Sequence, residues 1–376
     1  MSVLVHSARL VDDGEARGDA WVLVRDGRVV ERGAGTPRAD ADEVVDARQL
    51  AGAGGMLTPG FVDIHGHGGG GGSYDDGAGA IRAARAVHRR HGTTSAVLSL
   101  VTAPLPDLLA RLAVVREAMR ADDEVLGAHL EGPYLDPGHR GAHDPEALAS
   151  PVDVTALLAA GGVRQLTLAP ELPGALDAIG AIAGAGAVAA VGHTGADAAL
   201  ARRAFDAGAR VLTHAFNAMP ALLHRAPGPV GAAASDPRVV LELIADGVHV
   251  APEVVRIAFA AAPGRIALVT DAMAAAGAGD GTYTLGGLGV EVRDGVARLA
   301  DGTIAGSTLT QDRAVRVAVG AGVDPVDALR AATATPARAV GATDRGHLSP
   351  GARGDLVLLD AGLHVRAVWS AGLRVA

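Results

Sequence analysis

The sequence contains no cysteine and no lysine, and both absences exclude chemistry. Without cysteine there are no disulfides, no thiol nucleophile and no Cys-bound zinc. All 33 basic residues are arginine, so a Schiff-base lysine, a P-loop lysine and a carboxylated lysine that bridges two metals are also excluded. Aromatic residues make up only 2% of the chain, which disfavours recognition by stacking on aromatic side chains.

Positive charge and long apolar runs are also scarce. The 33 arginines stand against 42 acidic residues, for a net charge of −9, and a nucleic-acid partner needs a basic surface. The longest uncharged apolar run, residues 178–192, is shorter than the roughly 20 residues of a membrane span. Residues 1–19 lack the basic start and apolar stretch of a signal peptide. We therefore expect a cytoplasmic protein without a nucleic-acid or membrane partner.

The two ends of the chain are patterned differently from its middle. Of the 376 residues 49% are hydrophobic and 20% charged, a globular balance. Short alternating runs and turn dipeptides occupy residues 1–55 and return at 346–376, which is typical of β-strands. Because the termini of a domain are often close in space, the sequence predicts a small β-sandwich domain built from both ends. Residues 56–345 would then form the catalytic domain.

In that middle region, apolar runs rich in branched residues alternate with amphipathic stretches. Eight runs fit strands buried on both faces: Gly60–His65, Thr94–Leu100, Val125–Glu131, Arg164–Ala169, Val188–His193, Val211–His214, Val239–Ala245 and Ile266–Asp271. Helix candidates between them include Ala80–His91, Leu105–Arg120, Asp197–Ala207 and Pro252–Ala260. Eight strand–helix units predict an α/β protein with a (β/α)8, TIM-like barrel.

Several of the predicted strands end in a residue that can bind metal or carry a proton, and the active sites of such barrels lie at these ends. The residues are His65 with His67, Glu131, His193, His214 and Asp271. Taken singly, each has an ordinary explanation, such as a surface histidine or a solvated strand-end acid. Their shared position at strand ends instead predicts one site.

Four histidines and two carboxylates suffice for a site with one or two divalent ions. Imidazole and carboxylate ligands suit zinc, iron and other first-row metals. Such ions lower the pKa of a bound water to near 7 and polarise a carbonyl group. Asp271 could take the proton of that water and return it to a leaving group. The predicted chemistry is metal-assisted hydrolysis of a carbon–nitrogen or ester bond.

The motifs resemble those of the amidohydrolase superfamily. The resemblance rests on TPGF (58–61) before the His-x-His pair, on the late aspartate, and on GHLSPG (346–351) with GDLV (354–357). Within that superfamily the chain is similar to the N-acetylglucosamine-6-phosphate deacetylases, in the motifs HLEGP (129–133), GAH (141–143), GHT (192–194), THAFNAMP (213–220), ADGVH (245–249) and VTDA (269–272). The glycine-rich run 68–72 lacks a phosphate-loop signature, and we expect a flexible or tightly turned loop there.

The resemblance implies a substrate and further roles. The reaction would be hydrolysis of the acetamide of N-acetyl-D-glucosamine 6-phosphate to D-glucosamine 6-phosphate and acetate. Substrate contacts would come from Ala142, His143, Asn217, Ala218, Arg225 and His249. The arginine would reach the phosphate from the second subunit of a homodimer, whereas the tasks of the two histidines stay undivided. An arginine also suits a phosphate dianion in a chain without lysine.

Two other functions remain open. Another amidohydrolase, of the dihydroorotase or aminoacylase kind, is the nearest alternative; many of those enzymes bridge their metals with a carboxylated lysine, which this chain lacks. The other is a barrel that has lost catalysis and serves as a scaffold. Retention of all six polar residues at strand ends favours an enzyme.

Overall fold

The computed structural model describes residues 1–37 and 39–376. Over these residues the strands are, in chain order, β1 (Ser2–Asp12), β2 (Glu15–Arg25), β3 (Arg28–Ala34), β4 (Glu43–Asp46), β5 (Met56–Pro59), β6 (Phe61–Asp63), β7 (Gly68–Gly69), β8 (Gly72–Ser73), β9 (Thr93–Val101), β10 (Val125–Glu131), β11 (Val163–Leu168), β12 (Val188–Val191), β13 (Val211–Leu212), β14 (Val240–Leu243), β15 (Ile266–Leu268), β16 (Gly281–Leu285), β17 (Leu288–Arg293), β18 (Val296–Arg298), β19 (Leu356–Leu359), β20 (Val365–Ser370) and β21 (Leu373–Arg374).

The α-helices of the same residues are α1 (Ala47–Ala51), α2 (Ala78–Arg90), α3 (Leu105–Ala121), α4 (Thr155–Ala160), α5 (Ala175–Gly184), α6 (Ala198–Ala207), α7 (Gly228–Ala234), α8 (Pro252–Ala261), α9 (Gln311–Gly320), α10 (Pro325–Ala332) and α11 (Ala334–Ala339). Among the residues described, no helix combines the length and the apolar character that crossing a membrane requires.

The barrel predicted from the sequence is confirmed. Its eight parallel strands pair in the order β15-β14-β13-β12-β11-β10-β9-β6, and each corresponds to one predicted strand. The first and last strands are joined through the residues that follow them: the backbone N–H of Asp271 donates to the carbonyl of His65 at 2.8 Å. The hydroxyl of Thr270 also donates to Oδ2 of Asp63 at 2.6 Å. The sheet is therefore nearly closed, with its link beside the predicted site.

Helix α6 illustrates how local sequence sets the element boundaries. Asp197 caps the helix, since its side chain accepts a hydrogen bond from the N–H of Leu200 at 2.8 Å. Gly208 ends it at a φ of 129°, a backbone conformation that favours glycine. Between these ends, Ala201 and Phe205 lie on the buried face, four residues apart. The helix therefore packs against the barrel as its apolar periodicity predicts.

Strands from both chain ends form a second sheet, as predicted for the small β domain. It runs β21-β20-β19-β5-β1-β2-β3, and β4 also pairs with β1. In β19, Leu356 and Leu358 join the core of this sheet, whereas Val357 and Leu359 join the core of the barrel. The alternation explains a strand that is apolar throughout. The domain division at residues 55/56 and 345/346 remains a prediction, and Met56–Pro59 pairs with β1 and β19 of the small sheet.

Two small β elements near the site were not predicted. Strands β16 to β18 form a three-stranded sheet after the last barrel strand, with its own apolar cluster around Leu285, Val290 and Met273. The glycine-rich run forms a hairpin of β7 and β8 that turns at Gly70 and Gly71, both with positive φ. The hairpin is fixed by bonds from these two N–H groups to backbone carbonyls of the segment after β15. It is a tight turn rather than a flexible loop.

Candidate functional site

The six predicted metal-site residues come together at the carboxyl end of the barrel, and all are buried. Glu131 is the last residue of β10, whereas the other five lie beyond the ends of their strands. His193, His214 and Asp271 have φ values of 47°, 25° and 47°, in a region that non-glycine residues adopt uncommonly and that recurs at active sites. Their strands end before these positions, at Val191, Leu212 and Leu268, so the strands predicted from the sequence were too long.

His65 and His67 face the same carboxylates, but they do so from beyond the end of the strand. The sequence pattern suggests that His65 and His67 point the same way because strand side chains have a period of two. Strand β6 ends at Asp63, so neither histidine lies in a strand. Both side chains nevertheless turn toward the same acids: Nε2 of His65 and Nε2 of His67 lie 3.6 Å and 3.3 Å from Oδ1 of Asp271.

The six residues divide into two sets of potential metal ligands. His65, His67 and Asp271 form the first set, and the second set is Glu131, His193 and His214; within each, the ligand atoms lie within 4.8 Å of one another. Glu131 also faces the first set. Its Oε1 lies 3.1 Å from Nε2 of both His193 and His214, while its Oε2 lies 3.0 Å from Nε2 of His67. Glu131 is therefore positioned as a carboxylate that two ions could share.

The hydrogen bonds of the second set fit a cation. Nδ1 of His193 lies 2.9 Å from the carbonyl oxygen of His139. A carbonyl only accepts, so this nitrogen carries the proton and Nε2 of a neutral ring presents a lone pair. That lone pair faces Nε2 of His214 at 3.0 Å and the Glu131 carboxylate. Electron-rich atoms gathered this closely are stabilised by a positive ion between them, and imidazole with carboxylate suits a divalent first-row metal.

The electrostatics of the site agree with this reading. Burial would raise the pKa values of Glu131 and Asp271, but the neighbouring histidines, His65 foremost, hold both below their ordinary values. Burial would lower the pKa of His67, yet hydrogen bonds to the two carboxylates raise it to about 9. Burial lowers the pKa of His143 to about 4, so this ring is neutral at neutral pH. The site thus contains two ionised carboxylates, Glu131 and Asp271, and these stabilise the protonated form of His67.

Polar residues inside the barrel, beneath the ligands, were missed by the sequence reasoning. Glu242 in β14 is completely buried and accepts a hydrogen bond from Nδ1 of His65 at 2.9 Å. His129 in β10 is bonded through its two ring nitrogens to Ser99 and Thr167, and burial holds its pKa well below the ordinary value. An acid or histidine flanked by apolar residues within a buried strand is the signal that could have revealed both.

A cleft of about 420 Å³ opens onto the two ligand sets. Of the predicted substrate residues, five line it: Ala142, His143, Asn217, Ala218 and His249. Arg225 lies outside it, in the exposed segment 221–226, with Nη1 2.8 Å from Nε2 of the adjacent His224. The cleft is completed by residues that the motifs did not indicate, including Val101, His139, Leu285, Thr303 and Ile304. They come from segments far apart in the chain, so the sequence carries no local signal for them.

Comparisons with known proteins agree with this geometry. Residues 56–374 match the amidohydrolase family. The N-acetylgalactosamine-6-phosphate deacetylase of Escherichia coli O157:H7 is 42% identical over 84% of this chain and 87% of its own length. The N-acetylglucosamine-6-phosphate deacetylase of Bos taurus is 39% identical over 95% of this chain and 91% of its own.

A solved structure extends the similarity to the whole fold. A mutant N-acetyl-D-glucosamine-6-phosphate deacetylase from Mycobacterium smegmatis, in complex with N-acetyl-D-glucosamine 6-phosphate, superposes with a TM-score of 0.93 at 43% identity. The alignment covers 100% of this chain and 99% of that one. The chain belongs to the amidohydrolase family and, within it, to the group of N-acetylglucosamine-6-phosphate deacetylases.

Proposed function

We propose that this protein is a hydrolase that cleaves the acetamide of N-acetyl-D-glucosamine 6-phosphate, giving D-glucosamine 6-phosphate and acetate. The observation that carries the proposal is the pair of ligand sets that meet at Glu131, on the wall of a cleft that the predicted substrate residues also line. The related Mycobacterium smegmatis enzyme was solved with this sugar phosphate. A bridging carboxylate in a chain without lysine favours this activity over a dihydroorotase-like one.

The enzyme uses divalent metal, and we propose one or two ions per chain, with zinc as the native metal and iron as the alternative. His65, His67 and Asp271 would hold one ion, and Glu131, His193 and His214 the other. Divalent ions lower the pKa of water toward 7 and polarise a carbonyl group, which is the chemistry that amide hydrolysis needs.

Asp271 is the proposed proton carrier. Its pKa is depressed because the charge of His65 and the hydrogen bond from His67 outweigh the effect of burial, so it is ionised and ready to accept a proton. It lies on the cleft wall, where it could receive a proton from the attacking water and deliver it to the amide nitrogen. An amine leaves poorly unless it is protonated, so the same carboxyl serves both halves of the reaction.

We assign the phosphate end of the substrate to Asn217, to Ala218 and to Arg225 of the partner subunit in a homodimer, while His143 and His249 share the remaining sugar contacts in an order left undivided. Arg225 is exposed, and so are Leu222 and Leu223 in the same segment, at 46% and 56%. Exposed leucines beside an arginine suit burial against a second copy of the chain. A bidentate arginine suits a phosphate dianion. A cytoplasmic location stays a prediction.

A second substrate is favoured by one specific observation. The Escherichia coli relative at 42% identity is an N-acetylgalactosamine-6-phosphate deacetylase, and its sugar differs from N-acetylglucosamine only in configuration at C4. Acetate release by the purified protein should therefore be measured with both sugar phosphates under identical conditions. The proposal expects the larger kcat/KM for the glucosamine derivative, and a larger value for the galactosamine derivative would reassign the substrate.

A further inference from the structure

Glu242 is a buried carboxylate to which neither the sequence motifs nor the proposed reaction gives a role. It lies in the middle of β14, where Leu241 and Leu243 on either side belong to the barrel's apolar core. The side chain of Glu242 points the opposite way and is fully buried. A carboxylate buried in this way is costly unless each of its oxygens is matched by a donor.

Three donors converge on the two oxygens of Glu242. Nε2 of Gln165 donates to Oε1 at 2.7 Å. The backbone N–H of His214 donates to Oε2 at 3.3 Å, and Nδ1 of His65 lies 2.9 Å from the same oxygen. An ionised carboxylate only accepts hydrogen bonds, so the ring of His65 must donate. The contact therefore fixes a proton on Nδ1 of His65.

The consequence appears on the other side of the same ring. With the proton fixed on Nδ1, Nε2 is the only ring nitrogen that His65 can offer to an ion, and it lies 3.3 Å from Oε1 of Glu131 and 3.6 Å from Oδ1 of Asp271. This nitrogen is buried and has no hydrogen-bond partner within residues 1–37 and 39–376. In the opposite tautomer Nε2–H would simply donate to a carboxylate, and His65 would be lost as a ligand.

We propose that Glu242 is a positioning residue that fixes the tautomer and the ring orientation of His65, and so makes the set His65, His67 and Asp271 a metal site. The inference rests on the proposed function, since it needs an ion at that set. Carboxylates that hold the far nitrogen of a ligating histidine typically contribute about 10–100-fold to metal affinity. Glu242 touches His214 only through the backbone, so the set containing His193 should be affected far less.

The experiment compares zinc loading of the wild type and Glu242→Gln, which keeps the size of the side chain but replaces the acceptor-only group. Ions per chain are counted by elemental analysis after equilibration of the holoenzyme against buffers of fixed free zinc. Glu242→Gln should need about 10–100-fold more free zinc to load the weaker ion, with the tighter ion unchanged. In a His65→Asn background the same change should have no further effect. The matched control is Glu124→Gln, which changes a buried carboxylate among arginines just before β10, and it should load like the wild type.

Loading of both ions by Glu242→Gln at wild-type zinc concentrations would overturn the inference while leaving the proposed function intact. An equal loss of affinity in the His65→Asn background would also overturn it, because Glu242 would then act through something other than His65. A wild-type enzyme that is active without any ion would overturn both. Should the variant fail to fold, nitrogen-15 NMR of the wild-type holoenzyme gives the answer: the inference requires His65 to be protonated on Nδ1, and protonation on Nε2 contradicts it.

Discussion

Nε2 of His193 lies 3.0 Å from Nε2 of His214, and Oε1 of Glu131 lies 3.1 Å from each of them. Two imidazoles and a carboxylate gathered in so small a space form a donor set that a divalent first-row ion takes. His193 and His214 follow β12 and β13 in turns with positive φ, and these turns bring the two rings together as potential metal ligands.

Metal content should follow the division into two ligand sets. The purified protein is expected to hold between one and two divalent ions per chain. Replacing His193 or His214 by asparagine should remove the tighter ion, since that set includes the Glu131 carboxylate at the end of a strand. Replacing His65 together with His67 should remove only the other ion. Elemental analysis of each variant checks this, and loss of all metal from the His65/His67 double variant would refute the division.

Asp271→Asn should lower kcat far more than it changes KM. An amide cannot carry the proton from water to the leaving nitrogen, and general acid–base groups contribute about 10²–10⁴-fold to rate. Steady-state kinetics with the sugar phosphate measures both constants, and metal content is determined on the same preparation because Asp271 also belongs to a ligand set. A variant that keeps its metal and a near-normal kcat would rule out this role, and His143 would be the next residue to test.

Arg225→Ala should raise KM for the phosphorylated sugar much more than for N-acetylglucosamine itself, because the guanidinium is proposed to meet only the phosphate. The matched control is Arg238→Ala, another exposed arginine whose partners are the surface acids Asp206 and Asp236. It should leave both KM values unchanged.

Subunit complementation tests whether Arg225 acts across a dimer. Chains carrying Asp271→Asn and chains carrying Arg225→Ala should each have low activity alone. In a mixed dimer one site combines the intact Asp271 of one subunit with the intact Arg225 of the other, so part of the activity should return. If verified mixed dimers stay as inactive as their parents, the shared site is wrong.

His88 should make stability depend on pH. The ring is buried, Nε2 donates to the carbonyl of Gly68 at 2.8 Å, and burial lowers its pKa to about 4. The unfolded chain binds a proton near pH 6.5, so the stabilisation is complete above that pH and is lost as the pH falls toward 4. Between pH 8 and pH 5 this residue should account for about 2 kcal/mol of the free energy of unfolding.

Urea unfolding of the wild type and His88→Gln at both pH values measures this contribution. The variant should lose less stability than the wild type on acidification, by that amount. Equal losses would show that His88 is not the group responsible.

Much of this architecture could be predicted because its signals are local. Buried parallel strands are short apolar runs, and all eight were identified from such runs, while the amphipathic stretch Asp197–Ala207 predicted α6. The histidines of the two proposed ligand sets could be predicted because the active sites of such barrels lie at strand ends. The strand ends themselves were misjudged, since positive φ at His193 and Asp271 is a tertiary constraint without a sequence pattern.

The missed residues belong to long-range relationships. Glu242 acquires its role only from its contact with His65, which is 177 positions away in the chain. Leu285 lies on the cleft as part of a three-stranded sheet that no sequence motif predicted. Arg225 is exposed in the single chain and lies outside the cleft, and the role proposed for it requires a second subunit.

Metal-dependent removal of the acetyl group from N-acetyl-D-glucosamine 6-phosphate can be measured on one preparation of the protein in three states. Acetate release is followed with the purified protein as isolated, after exhaustive chelation, and after zinc is restored, with metal counted at each stage. We expect the protein as isolated to release acetate, to lose this activity with its metal, and to regain it on reconstitution. Undiminished release from protein shown to be metal-free, or no release from fully loaded protein, would contradict this expectation.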